Sequence, residues 1–185
     1  MSLSWSKIRN ILEKDLLCEK LRGRVKYFFT IYRKADDQYG RFALELDGKE
    51  IYRGNPYNED HYLYPKYYEL KEAEDREKNI TNEDDFYCEW DEECDIRYEK
   101  ANLISIAEGH GDSMLIIRDI KEYINMPVKE ALYSENYIYK MMAMLDRRVG
   151  KRTLENRVKE YPGLPDWLKK IYQARFEVEG IKYEN

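Results

Sequence analysis

The chain is poor in the residues that most often carry chemistry. Its 185 residues include only two histidines, His61 and His110, and three cysteines, Cys18, Cys88 and Cys94. Three cysteines cannot all pair with one another, which agrees with reduced thiols rather than a disulfide framework. Cys88 and Cys94 lie off the usual spacing of zinc-binding cysteines, and the histidines are distant from each other in sequence. No dedicated metal site and no cofactor are expected. The acidic residues do not follow the order of a calcium loop, which needs a central glycine and a terminal bidentate acid. No glycine-rich loop ends in the Gly-Lys-Ser/Thr of a phosphate-binding strand–loop–helix. No apolar run approaches the roughly 18 residues of a membrane span. Lys7, Arg9, Glu13, Lys14 and Asp15 interrupt the stretch where a signal peptide would be unbroken and apolar. The expected compartment is therefore the cytoplasm.

What the chain does have is charge and tyrosine. Charged residues make up 37% of it, with a net charge of −5 and a mean hydropathy of −0.86, which describes a heavily solvated exterior. Apolar residues at 43% still suffice for a core. Eighteen tyrosines stand against five phenylalanines. Tyrosine fills volume while its hydroxyl stays wet or hydrogen-bonded, so such a chain can build an amphipathic rim around its core or a face for another protein.

Fold is the most legible property. Phe42, Leu44 and Leu46 alternate with polar or small residues, Asp47-Gly48 supplies a turn, and Glu50–Arg53 leads back. Asp-Gly between alternating runs specifies a type I′ hairpin, because both central residues need positive φ. Upstream, Val25, Tyr27, Phe29 and Ile31 share one face of a third strand. Trp5, Ile8, Ile11, Leu12, Leu16 and Leu21 recur at helical spacing, predicting a helix over 4–21 with Ser4 as its cap and Gly23 as its stop. Pro65 opens a helix to about Lys78. The acidic stretch 83–99 carries interleaved aromatics and reads as a solvated helix; 102–109 reads as more helix, with Gly109 ending it and Asp112 or Ser113 capping the next. Further helices are expected over Met114–Asn125, Val128–Tyr133, from a Ser134 cap onward, and from Leu164 to about Glu177, with a short mixed piece over Thr153–Tyr161. The expected class is α+β: an N-terminal helix plus a three-stranded antiparallel sheet (1–78), then a C-terminal α-helical bundle (79–185), packed together.

Function is less legible. Residues 83–99 hold nine acidic side chains and one basic, while 140–175 hold ten basic and four acidic. The first segment nominates a protein-binding face made of Phe86, Tyr87, Glu89, Trp90, Asp91, Glu92 and Tyr98, of the kind with which an immunity- or inhibitor-like protein covers a basic partner. The second nominates an anion site at Arg147, Arg148, Lys151 and Arg152, where Gly150 permits a sharp turn and exposes N–H groups to a nucleic acid or a phosphorylated ligand. Against that reading, Asp146 pairs with a neighbouring arginine and Gly150 merely ends a helix. A third reading makes His110, beside Asp112, a general base, although histidine between two glycines is more often a turn residue. No catalytic residue is assigned. An exposed sheet edge would also allow a homodimer.

Several pieces resemble a family of uncharacterised bacterial proteins of similar length: WSK at Trp5–Lys7, GRVKYF at Gly23–Phe28, YGRF and DGKEI within Tyr39–Ile51, SENYI at Ser134–Ile138, LDRRVGKRTL at Leu145–Leu154, and IYQARFEVEGI at Ile171–Ile181. Residues 55–100 match poorly. The resemblance implies one continuous structural unit in the bacterial cytosol. It transfers no activity, substrate, cofactor or catalytic residue. The leading expectation is a non-catalytic module for an unknown protein partner, with nucleic acid less favoured and membrane not expected.

Overall fold

The structure, a computed structural model, describes residues 4–31, 40–80 and 91–183. Helix α1 (Trp5–Asn10) continues into a π-helical turn (Ile11–Leu16) and a 3-10 turn (Glu19–Leu21). Strands β1 (Val25–Ile31), β2 (Gly40–Leu46) and β3 (Lys49–Gly54) follow. A second π-helical turn (Glu59–Leu63) leads into α2 (Tyr64–Lys78). The rest is helical: α3 (Glu92–Ala107), α4 (Ser113–Asn125), α5 (Val128–Tyr133), α6 (Tyr137–Leu145), α7 (Lys151–Glu155), a 3-10 turn (Val158–Gly163) and α8 (Asp166–Glu179). The class is α+β, as expected.

The sheet is an antiparallel meander in the order β1-β2-β3. Asp47 and Gly48 take φ of 53° and 76°, the left-handed pair that a type I′ turn requires. Val25, Tyr27, Phe42, Leu44 and Tyr52 point inward and are buried. Above them lie α1, through Ile8 and Leu12, and the helices of the C-terminal half, through Ile116, Ile120, Met141, Leu168 and Ile171, all in one apolar cluster. Burying a side chain such as Leu44, which has no exposed surface, contributes about 1.5–3 kcal/mol. The loop before α4 docks closely on β3. A Cβ on Gly111 would stand 2.2 Å from the Tyr52 hydroxyl, and one on Gly54 would stand 2.5 Å from Ile116. Trp167 of α8 packs on Tyr52 with ring centroids 4.2 Å apart and donates its indole N–H to the Ile106 carbonyl at 3.0 Å.

Three local expectations are corrected. The first helix ends at Leu16, not Leu21, because Leu17 leaves helical geometry to bridge Asp146. There the Cys18 N–H donates to the Leu145 carbonyl at 2.8 Å and the Arg147 N–H to Leu16 at 2.7 Å. Gly23 (φ 81°) instead turns the chain into β1. The cap of α6 is Asn136, whose side chain accepts from the Ile138 and Tyr139 N–H groups; Ser134 accepts from Asn136 one step earlier. Gly150 ends no helix: α6 stops at Leu145, and Gly150 precedes α7. Of the helix expected over 83–99, residues 83–90 lie outside the described residues and α3 begins at Glu92; the piece expected over 153–161 is split between α7 and the 3-10 turn that ends at Gly163. Residues 102–107 are helix, Gly109 turns at φ 89°, and the Asp112 carboxylate caps α4 by accepting from Met114 and Leu115.

Candidate functional site

The three candidate sites fare differently. At the 145–154 junction the backbone does most of the work. Besides the Leu145 and Arg147 links to the N-terminal turn, the Val149 carbonyl accepts from buried Arg175 at 2.8 Å, and Lys151 reaches the Gly180 carbonyl at 3.5 Å. Asp146, 1% exposed, accepts from the Tyr123 hydroxyl at 2.6 Å. It also accepts from the Arg148 Nε and Nη2 at 3.0 and 2.7 Å and from the Arg148 N–H at 2.8 Å. These bonds to Asp146, outweighing partial burial, hold the Arg148 guanidinium above its ordinary pKa. Burial, and then the Asp146 charge, push the Tyr123 hydroxyl up. Arg148 is thus paired with a buried carboxylate, the pairing that the structural alternative expects of a neighbouring arginine. Arg147, Lys151 and Arg152 stay exposed. The cluster is a three-way joint between the N-terminal turn, α6 and α8.

The loop holding His110 is equally committed. The imidazole is half-buried and stacked on Tyr62, centroids 3.7 Å apart and planes 8° from parallel. The Ser105 hydroxyl donates to the His110 carbonyl at 2.8 Å. Asp112 is 5% exposed, and burial raises its carboxyl pKa against the opposing pull of the capped N–H groups. Its oxygen faces the helix it caps, so the geometry joins His110 to a tyrosine ring rather than to a carboxylate. Among the described residues no group of three or more metal-ligating side chains is gathered.

Of the acidic aromatic face, Phe86, Tyr87, Glu89 and Trp90 lie outside the described residues. Asp91 caps α3 through the Cys94 N–H at 2.8 Å, and that bond lowers its pKa. Glu92 is exposed. The Tyr98 hydroxyl donates to Glu59 at 2.6 Å. The acidic half of α3 lies along α2, not against the basic helices 140–175: Arg97 pairs with Glu74 at 2.7 Å and donates to the Tyr67 hydroxyl at 3.0 Å, and Lys78 pairs with Glu93 at 2.9 Å. Only the C-terminal part of α3 reaches α8, through Ile106.

The segment leading into α2, and α2 itself, carry tyrosines that the sequence reading left out. Tyr57, Tyr62 and Tyr68 are 52%, 38% and 51% exposed. Tyr68 lies within ring-contact distance of Tyr64 and Tyr67, and Tyr64 of Tyr98. Asp60, Glu72, Glu77 and Glu92 are exposed in the same stretch of chain and form no ion pair among the described residues. Residues 57–108 hold seventeen acidic and six basic side chains, a net of −11 in a chain of net −5, so the remainder is net +6. The signal that could have found this face was the tyrosine run at 57–68, adjoining the acidic stretch. A second overlooked feature is a cleft beside β1 that gathers Arg9, Lys14, Arg22 and Lys26.

Residues 4–176 match the SF0329 protein family, and the chain belongs to it. No curated protein and no solved structure matches the chain. Among the described residues no helix is long and apolar enough to cross a membrane.

Proposed function

We propose that this member of the SF0329 protein family is a non-catalytic protein-binding module of the bacterial cytoplasm, which docks a basic protein partner on the outer face of its α2–α3 hairpin. One observation carries the reading: Tyr57, Tyr62 and Tyr68 are exposed in a stretch whose exposed carboxylates Asp60, Glu72, Glu77 and Glu92 form no ion pair among the described residues. Tyrosine supplies contact area at low entropic cost and is enriched at interface centres. A net charge of −11 over 57–108 steers a basic protein toward this face and rejects acidic ones. That pattern suits an immunity- or inhibitor-like protein. Free, buried thiols at Cys18 and Cys94 support a reducing compartment.

The test is capture from the native lysate with nuclease present, comparing wild type, Tyr57→Ala/Tyr68→Ala and Arg147→Ala/Arg152→Ala. The reading expects one stoichiometric basic protein, released as salt rises, lost with the tyrosine variant and retained with the arginine variant. Equal capture by the tyrosine variant, or nuclease-sensitive recovery dependent on the arginines, overturns it.

A further inference from the structure

We propose that the cleft between the α1–π turn and the edge strand β1 binds a nucleoside diphosphate. The cleft is open to solvent and offers about 480 Å³, within the range of small-molecule sites. Three segments build it. Arg9, Glu13 and Lys14 come from the first helix and its π-helical turn, Arg22 from the turn before β1, and Lys26, Tyr27 and Phe28 from β1 itself.

Four cations and one carboxylate therefore line a single concavity. That carboxylate is already used: a Glu13 oxygen accepts the Tyr27 N–H at 3.0 Å, an edge-strand donor that β2 does not reach. Arg22 is held in place, donating to the Lys14 carbonyl at 3.1 Å with Glu19 3.8 Å away on its outer side. Arg9, Lys14 and Lys26 are exposed and form no ion pair among the described residues. Lys26 stands opposite Glu45 in the sheet register without pairing to it. The lining is net +3, which matches the roughly three negative charges of a nucleoside diphosphate near neutral pH.

Charge alone would suit any polyphosphate; the aromatic wall narrows the choice. Phe28 lies two residues along β1 from Lys26, on the same side of the strand, is 38% exposed and lines the cleft, where its ring is available to a planar base. Stacking there with the phosphates toward Arg9, Lys14 and Arg22 uses both halves of the ligand. Arg22, pre-oriented by the Lys14 carbonyl, offers its remaining N–H groups to phosphate oxygens. This site is independent of the acidic face, so either can fail without the other.

The experiment is calorimetric titration of the full chain with ADP, and separately with inorganic pyrophosphate, at low and high salt. Expected is saturable one-to-one ADP binding that weakens as salt rises, with pyrophosphate binding about tenfold more weakly. Arg9→Ala/Lys14→Ala should weaken both ligands about tenfold or more. Phe28→Ala should weaken ADP alone, and Arg147→Ala/Arg152→Ala and Tyr57→Ala/Tyr68→Ala should change neither. Thermal melts confirm that each variant is folded. The proposal is overturned by an absence of saturable ADP binding at low salt, by cleft variants that bind as wild type does, or by pyrophosphate binding as tightly as ADP.

Discussion

Around Asp146, charge is buried and answered from within the chain; on the α2–α3 hairpin part of it is displayed, with Glu72, Glu77 and Glu92 exposed and in no ion pair among the described residues. The first region belongs to the main apolar cluster, which joins the sheet to α4, α6 and α8. The second has an apolar cluster of its own, in which Leu63, Tyr67 and Ala101 are the buried members among the described residues, flanked by Leu70, Tyr98 and Leu115. What holds the hairpin is largely polar: Arg97 to Glu74 and Tyr67, Tyr98 to Glu59, Lys66 to Glu69 and Glu108. Exposed tyrosines, and exposed carboxylates in no ion pair among the described residues, suit an element that meets a partner. The two arginine-bearing segments teach the same lesson. A run of basic residues on paper became a joint once backbone carbonyls and one buried aspartate engaged it.

Substitutions separate the two regions. Asp146→Ala should have the largest effect, about 2–4 kcal/mol by denaturant titration, because it strands the buried Tyr123 hydroxyl and frees the joint to the N-terminal turn. A loss under about 1 kcal/mol would show that the joint is not what holds the halves together. Leu63→Ala should cost about 2–3 kcal/mol, but locally. Hydrogen exchange should quicken through α2 and α3 while α4, α6 and α8 keep their protection; uniform quickening would make the hairpin part of one cooperative core. Tyr98→Phe removes the hydroxyl's bond to Glu59 and should cost about 1 kcal/mol, read from the melting of the same helices.

The smallest effect concerns Asp119, a fully buried carboxylate that accepts from Asn136 at 2.7 Å and from Arg118 at 3.1 Å. Burial raises its pKa, partly opposed by those two partners. The folded state therefore holds this proton more tightly than the unfolded chain. The resulting stability is present below the ordinary aspartate value of about 4 and is lost as pH rises through the raised folded value. Relative to wild type, Asp119→Asn should gain in melting temperature as pH is raised across the carboxylate range. A flat difference would mean that Asp119 titrates as it does in the unfolded chain.

Much of the fold was legible because its signals are local. Asp47-Gly48, the alternation of Phe42 to Leu46, the Pro65 start and the Gly109–Asp112 boundary each rest on chemistry within a few residues. The first helix was misjudged where a distant partner intervened, since no local rule says that Leu17 will bridge Asp146. The α6 cap was misplaced by two positions because Ser134 and Asn136 are both good caps, and which one serves depends on the turn between them. The site was harder to read. The basic cleft draws on three segments separated by the turns at 17–24, and helical periodicity assigns Arg9 and Lys14 simply to a wet face. Nothing local tells an exposed tyrosine from a buried one in this stretch, where Tyr67 is 6% and its neighbour Tyr68 51% exposed. The fate of Arg148 turned on a carboxylate two residues away whose burial no pattern announces.

The central claim is that partner binding resides on the hairpin and not on the joint. A photo-reactive side chain placed at Tyr68 in one variant and at Arg152 in another tests it directly, with cross-linking in living cells. The account predicts a single adduct with a basic protein from position 68 and none from position 152. Adducts from position 152 alone, or none from position 68 while the protein remains folded and expressed, would contradict it.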